Sequence, residues 1–420
     1  MSHLPRIPYL AGQPLRVLSI THTAVSRAAG RLRYHPLAGR PNLDVHLVVP
    51  DRWIQFGRWS AADPPDDEGF HVHVEPIRLP RSGRAKWYLH HYPGLRRLIR
   101  QIDPQVIHLW EEPWSMVAWQ AAGLRDRLAP KAALVLEVDQ NVRRWLPPPF
   151  GSIRRSVLRR TDLVLARSDD AAGVVRGCGY RGPVERIGYG VDIASFHPSD
   201  RCAARAEFGL DQPAPGTLLI GYVGRLVVEK GLDDVIEAMA LTEAPVTLAI
   251  MGEGPHHAAL VAHAMRVGVS DRLRFHAWGD PDRVGRFMSA LDALALMTRS
   301  TPIYREQFGR VVVEAHGCGV PVIGSSCGTI PDVVGQGGWI VAERDVAALA
   351  ALLTRLAGDP ALCTAAGTAG MAQASQRYTF ERVAATLSAA WQQAHNQRND
   401  SPTLTAALAS SGFVPVSEHP

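Results

Sequence analysis

The sequence predicts an α/β protein: two Rossmann-like, doubly wound domains facing each other across a cleft. Three observations predict it. Short β-branched runs alternate with longer amphipathic stretches, the pattern of parallel strands joined by crossover helices. The runs fall into two sets, separated by Phe196-His197-Pro198-Ser199-Asp200 and the Pro- and Gly-bearing stretch Asp211–Gly216. A chain of 420 residues also exceeds one ordinary domain, since domains run to about 150 residues.

In the first set the predicted strands are Arg16–Ile20, Val45–Val49, Val106–Trp110, Leu134–Val138 and Leu163–Ala166. In the second they are Leu218–Val223, Val246–Met251, Leu273–His276, Ala293–Met297 and Pro321–Ile323. About five strands suffice for each sheet, and such sheets bind ligands at the carboxyl ends of their strands. The hinge is expected near 195–215, dividing the chain into domains 1–197 and 198–378. A final helix over 379–395 is expected to pack back towards the first domain. The Asn-, Ser-, Thr- and Ala-rich segment 396–420 shows no periodicity and reads as a loose tail. No internal repeat is found.

Hydrophobic residues make up 46% and charged residues 20%, which excludes a disordered or fibrous chain. No apolar run reaches the roughly 18 residues that span a bilayer, and residues 1–14 lack a signal-peptide core. Cys178, Cys202, Cys318, Cys327 and Cys363 are scattered and show no CxxC spacing. Neither a disulfide framework nor a structural zinc site is expected, so the reading is a reduced cytoplasm. The net charge of +5 is uneven. Residues 1–200 carry 28 basic and 19 acidic side chains, whereas residues 201–420 carry 17 and 21. Only Lys86, Lys131 and Lys230 are lysines, an arginine bias that argues against a nucleic-acid interface.

Gly221-Tyr222-Val223-Gly224-Arg225-Leu226-Val227-Val228-Glu229-Lys230-Gly231 follows a strand and precedes an amphipathic stretch. Glycine there lets backbone approach a ligand, and Arg225 and Lys230 supply cations suited to a diphosphate. The same segment also reads as a surface turn with solvated charges. Neither GxGxxG nor GxxxxGK[ST] can be written on it. Met251-Gly252-Glu253-Gly254-Pro255 ends the next strand, and is either a nucleotide contact or a plain strand-to-helix turn. The sharpest segment is Glu306-Gln307-Phe308-Gly309-Arg310-Val311-Val312-Val313-Glu314-Ala315, followed by Gly317-Cys318-Gly319-Val320-Pro321-Val322-Ile323. It reads as a loop, a helix from about Gly309 to Gly317, and a buried strand. Glu306 and Glu314 lie about 12 Å apart in helical rise, too far to act on one atom. They suit the two ends of an extended ligand whose anionic middle meets the helix N-terminus.

In this order and spacing, the three segments resemble the donor half of the glycosyltransferase family 4 enzymes, the retaining group with the GT-B fold. Gly190-Val191-Asp192 with Phe196 and Pro198, Cys327-Gly328-Thr329-Ile330-Pro331-Asp332, and Tyr378-Thr379-Phe380-Glu381-Arg382-Val383 extend the resemblance over about 185–395. It implies a nucleotide-sugar donor, UDP- or GDP-linked, in the second domain and an acceptor in the first. Arg225 and Lys230 would neutralise the departing diphosphate, Glu306 would bind hydroxyls of the sugar, and Glu314 those of the ribose. Gly224, Gly252, Glu253 and the backbone of Phe308, Gly309, Arg310 and Val311 would line the donor site. The family transfers with retention by front-face displacement, without metal or other cofactor. Gln307 stands where the family usually has glycine.

On the first domain, many relatives carry an H-x-H-E-P-like segment whose histidine touches the donor sugar. Here His108 lies inside a strand, and Trp110 and Glu111-Glu112 interrupt the match. His108 is either a core histidine or a substrate contact. Glu111, Glu112, the Asp139-Gln140-Asn141 segment and His22 are further acceptor-side candidates. Pro93–Ile102 and Arg143–Arg160 mix apolar and arginine faces, as a core-packed helix or one lying on an anionic membrane surface would. The expectation is a hexosyltransferase of cell-envelope or exopolysaccharide synthesis, acting on a glycan or lipid-linked acceptor, cytoplasmic or peripheral at the inner face of the membrane. The alternatives are a nucleotide-sugar epimerase and a non-catalytic scaffold of the same fold.

Overall fold

The computed structural model describes residues 13–55, 58–78, 87–210 and 216–400. The expected fold class is the one observed. The first sheet holds β1 (Leu15–Ile20), β2 (Leu43–Pro50), β5 (His71–Glu75), β6 (Val106–Trp110), β7 (Ala133–Val138), β8 (Leu163–Ala166) and β9 (Val184–Arg186). A hairpin of β3 (Arg52–Gln55) and β4 (Arg58–Ala61) stands outside it. The second sheet holds β10 (Leu218–Val223), β11 (Val246–Met251), β12 (Leu273–His276), β13 (Ala293–Leu296), β14 (Val322–Ser325) and β15 (Gly338–Val341).

Both sheets are parallel, in the orders β5-β2-β1-β6-β7-β8-β9 and β12-β11-β10-β13-β14-β15. Helices cover both faces, so central strands such as β6, β7, β8 and β10 are buried along their whole length. That is why they read as unbroken apolar runs. The sheets have seven and six strands rather than about five each. The additional strands lie at sheet edges, and their short or polar sequences (His-Val-His-Val-Glu in β5) reflect edges that need less apolar cover.

The chain leaves the first domain beside the segment by which it later returns. Val191 N–H donates to the Tyr378 carbonyl at 2.7 Å, and Gly190 abuts the Phe380 ring. The last helix, Phe380–Asp400, lies on the first sheet. Its Val383, Ala384, Leu387, Ala390, Trp391 and Ala394 complete the core beneath β1, β2, β6, β7 and β8. It runs past 395, where a loose tail was expected. Arg398 ties the extra turn down by pairing with Asp162 at 2.9 Å and donating to the Pro130 carbonyl at 2.8 Å. The remainder of the expected tail (401–420), part of the hinge (211–215) and residues 1–12 of the N-terminal segment lie outside the described residues. Among the described residues no single helix is long and apolar enough to cross a membrane.

Candidate active site

In each sheet the strand order reverses direction once, between β1 and β6 and between β10 and β13. Beyond the carboxyl ends of such a strand pair the loops diverge and leave a crevice. Gly224 and Arg225 follow β10, and Glu306 lies on the loop after β13. His22 follows β1, and Glu111 follows β6.

Glu306 is the hub of the second crevice. Its Oε2 accepts from Lys230 Nζ at 2.6 Å, Thr298 Oγ1 at 3.1 Å and Tyr304 OH at 3.2 Å. Lys230 Nζ also donates to Tyr304 OH at 3.0 Å. Burial alone would lower the lysine pKa, but the Glu306 charge outweighs it and holds the ammonium well above its ordinary value. The other carboxylate oxygen, Oε1, accepts nothing from the described residues, which leaves it for a ligand hydroxyl. The Glu306 carbonyl accepts Asn141 Nδ2 at 2.9 Å, a bond across the cleft from the first domain.

Arg225 is exposed, and its guanidinium hydrogen-bonds none of the described residues. Glu253 is also exposed, whereas Gly252 is buried. A Cβ on Gly252 would stand 1.9 Å from the Gly224 carbonyl oxygen, so the glycine is required for two loops to pack backbone to backbone. Leu226 N–H donates to the Glu253 carbonyl at 2.8 Å in the same contact.

Gly309, at φ 78° in the left-handed region, turns the chain into the helix Arg310–Gly317. The Phe308 side chain is buried between Tyr189 and Tyr378. The first N–H groups of that helix, those of Arg310 and Val311, have no intrahelical acceptor, and Val312 N–H is the first to be engaged, on the Gly309 carbonyl at 2.8 Å. Glu314 lies one turn along, with Arg310 Nη2 3.6 Å from its Oε1. Its pKa is raised because burial outweighs that cation.

The first crevice is built around Glu111. This buried carboxylate accepts both the backbone N–H of His22 at 3.0 Å and its Nδ1 at 2.7 Å. Burial pushes its pKa up, but the His22 charge and hydrogen bonds bring it below the ordinary value. His22 packs at a tilt on Trp53 of β3 with ring centroids 4.5 Å apart, and His90 meets the same Trp53 ring edge-on at 4.8 Å, with its own centroid 5.9 Å from that of His22. His22, His90 and Glu111 lie close enough to share a cation, as do Asp44, His46 and His71 elsewhere.

His108 does not face the cleft. It is fully buried, bonded through Nδ1 to Ser19 Oγ at 2.9 Å, and packed on Trp391. It belongs to an ion network in which Arg33 grips Glu137 in a two-pronged pair at 2.8 and 2.9 Å. Arg167 bonds both Glu137 and Asp139, so Asp139 is likewise engaged in structure. Arg33, and Trp110, whose Nε1 donates to Asp139 at 3.1 Å, reach a pocket also lined by Tyr189, Arg310 and Phe380.

Glu112 Oε1 accepts the N–H groups of Asp139 and Gln140 at 3.0 and 2.9 Å, fastening the β7 loop. Burial, with the Asp139 charge adding to it, raises its pKa to about 7. The folded state therefore keeps a proton that the unfolded chain loses at lower pH, and stability falls as pH rises from the ordinary carboxyl range through about 7. Glu112→Gln preserves the acceptor oxygen and removes the titration. It is expected to leave the melting temperature nearly unchanged at pH 4 and to stabilise the protein at pH 8 by roughly 3 kcal/mol. Melting curves at the two pH values check this, and equal effects at both would contradict it.

The amphipathic stretches spend their apolar faces on the core. Leu95, Leu98, Ile99 and Ile102 of one, and Ile153, Val157 and Leu158 of the other, are buried. What remains outward is arginine (Arg96, Arg97, Arg100) and Trp145, which is 81% exposed. Sequence reasoning missed Tyr304 and Thr298. Tyr304, two residues before Glu306, was the readable signal; Thr298 meets Glu306 only through the fold.

Two family models match the chain: Glycosyltransferase Family 4 over residues 40–195 and Glycosyl transferases group 1 over residues 211–373. It is 34% identical to a D-inositol 3-phosphate glycosyltransferase of Segniliparus rotundus over 218 residues, 49% of this chain and 46% of that protein. With the Mycolicibacterium vanbaalenii protein of the same name it shares 29% over 259 residues, 57% of this chain and 55% of that one. The chain thus spans about half the length of the curated relatives it matches. Among solved structures, sucrose-phosphate synthase of Thermosynechococcus elongatus superposes with TM-score 0.65 at 20% identity, over 90% of this chain and 98% of that one. Anabaena Alr3699/HepE in complex with UDP superposes with TM-score 0.67 at 18% identity, over 91% and 100%. These likenesses establish a shared GT-B fold.

Proposed function

The chain belongs to the family 4 glycosyltransferases, and from that premise we propose that it transfers a sugar from a UDP- or GDP-sugar to a glycan, glycolipid or lipid-linked acceptor. The observation that carries this reading is Lys230 and Glu306 paired at 2.6 Å beside the β10 end, with Arg225 unengaged on the same loop. A donor diphosphate draws Lys230 and Arg225 to itself, and the sugar hydroxyls take over Glu306. The ribose reaches Glu314, and the free N–H groups before Val312 meet the anionic centre. The Anabaena protein was also solved with UDP-glucose, in keeping with a donor of this class.

Transfer breaks the bond from anomeric carbon to phosphate oxygen and forms one to the acceptor oxygen. The acceptor proton leaves with the diphosphate, and the sugar keeps its configuration. The protein's task is to stabilise the leaving charge with fixed cations, a chemistry that needs no metal. The acceptor is anionic or held at an anionic membrane surface, because the first 200 residues carry an excess of nine basic side chains and the arginines above face outward. D-Inositol 3-phosphate, named for the relatives, is of this anionic class. The proposed setting is cell-envelope or exopolysaccharide assembly at the cytoplasmic face.

Glu306→Ala is expected to lower turnover more than affinity for the free nucleoside diphosphate, and Glu314→Ala to do the reverse. Calorimetric titration with UDP and GDP, beside donor turnover, checks the split. Identical losses of nucleotide affinity in the two variants would contradict it.

A further inference from the structure

A set of metal-ligating side chains meets on the outer strands of the first sheet, away from both crevices. β2 and β5 pair in parallel with His46 opposite His71. Side chains alternate along a strand, so Asp44, His46, His71 and His73 share one face. They lie towards the amino ends of β2 and β5, and the cleft opens at the carboxyl ends.

His46 Nε2 is 3.2 Å and His71 Nε2 3.6 Å from Asp44 Oδ1, and the three ligand atoms all lie within 4.8 Å of one another. A tetrahedral ion at about 2.0–2.1 Å from each ligand holds neighbouring ligand atoms about 3.3 Å apart. The two edges that meet at Asp44, at 3.2 and 3.6 Å, lie near that length. The third is no longer than 4.8 Å, and the His71 ring, which stacks on His46 at 4.6 Å, is 65% exposed and has room to turn towards the ion. His46 Nδ1 lies 3.0 Å from His73 Nε2. Ligand histidines are commonly fixed in this way, with an outer partner on the nitrogen that does not bind metal.

We propose that Asp44, His46 and His71 bind one divalent transition-metal ion of the zinc class, with His73 orienting His46 so that Nε2 faces the ion. Two imidazoles and one carboxylate suit Zn2+ and Co2+ and leave a fourth position for water. The ion fastens edge strand β5 to β2 through side chains, beside the backbone pairing of the two strands.

The test uses the full chain, stripped with EDTA, dialysed, and titrated with Co2+ while the visible absorption of four-coordinate cobalt is followed. Wild type is expected to bind one equivalent with that spectrum, and zinc is expected to raise its melting temperature. His71→Ala and Asp44→Asn should lose both responses, and the exposure of His71 makes its removal harmless to the fold. His73→Ala should bind about 10–100-fold more weakly; unchanged affinity there would overturn its orienting role. His22→Ala should keep the spectrum. Loss of the spectrum in His22→Ala with retention in His71→Ala would place the ion in the cleft and overturn the proposal. So would the lack of stoichiometric binding by wild type.

Discussion

Lys230→Ala is expected to lower donor turnover about 10²–10³-fold, roughly 3–4 kcal/mol of transition-state stabilisation, with the fold retained. Lys230 lies beneath the donor loop with its ammonium on Glu306 and Tyr304. No other lysine lies in the second domain. Once it is removed, Glu306 keeps its bonds from Thr298 and Tyr304, so the pocket persists and only the charge is lost. Loss of charge where a diphosphate departs acts on the chemical step more than on ground-state binding. The measurement is single-turnover release of nucleoside diphosphate, with a melting curve on the same sample. A wild-type rate, or a collapsed fold, would contradict the assignment.

The second large effect concerns stability. Glu137→Ala is expected to cost about 3–5 kcal/mol, because it strands the buried guanidinium groups of Arg33 and Arg167. Burial opposes ionisation of Glu137, yet the two arginines hold its pKa far below the ordinary carboxyl range. A depressed pKa contributes stability that is complete above the unfolded value and is lost progressively as pH falls from there through the folded one. The wild-type network should therefore survive mildly acidic conditions. Denaturant titration at neutral pH reads the loss, and a change under about 1 kcal/mol would fall outside the range for a broken buried pair.

What could be read in advance follows the range of the interactions. Strands such as Val106–Trp110 and Leu218–Val223 are legible because burial on both faces leaves an apolar run. β5 reads His-Val-His-Val-Glu, an alternation without apolar weight, since it lies at an edge. Gly309 before a helix was readable from local chemistry. The Arg33–Glu137 pair joins residues 104 positions apart, so nothing local announces it. His108 offered two readings, and its burial beneath Trp391 decides for the core. The last helix outruns its compositional signal because Arg398 finds Asp162 on the first domain.

The central claim is that a nucleoside diphosphate lies between the β10 loop and the helix Arg310–Gly317. The most direct measurement is isothermal titration of UDP and GDP into wild type, Arg225→Ala, Lys230→Ala and Glu314→Ala. The expected result is saturable binding of one nucleotide by wild type, weakened about tenfold or more in each variant, which is at least about 1.4 kcal/mol. No binding of either nucleotide, or equal affinity in all four proteins, would contradict it.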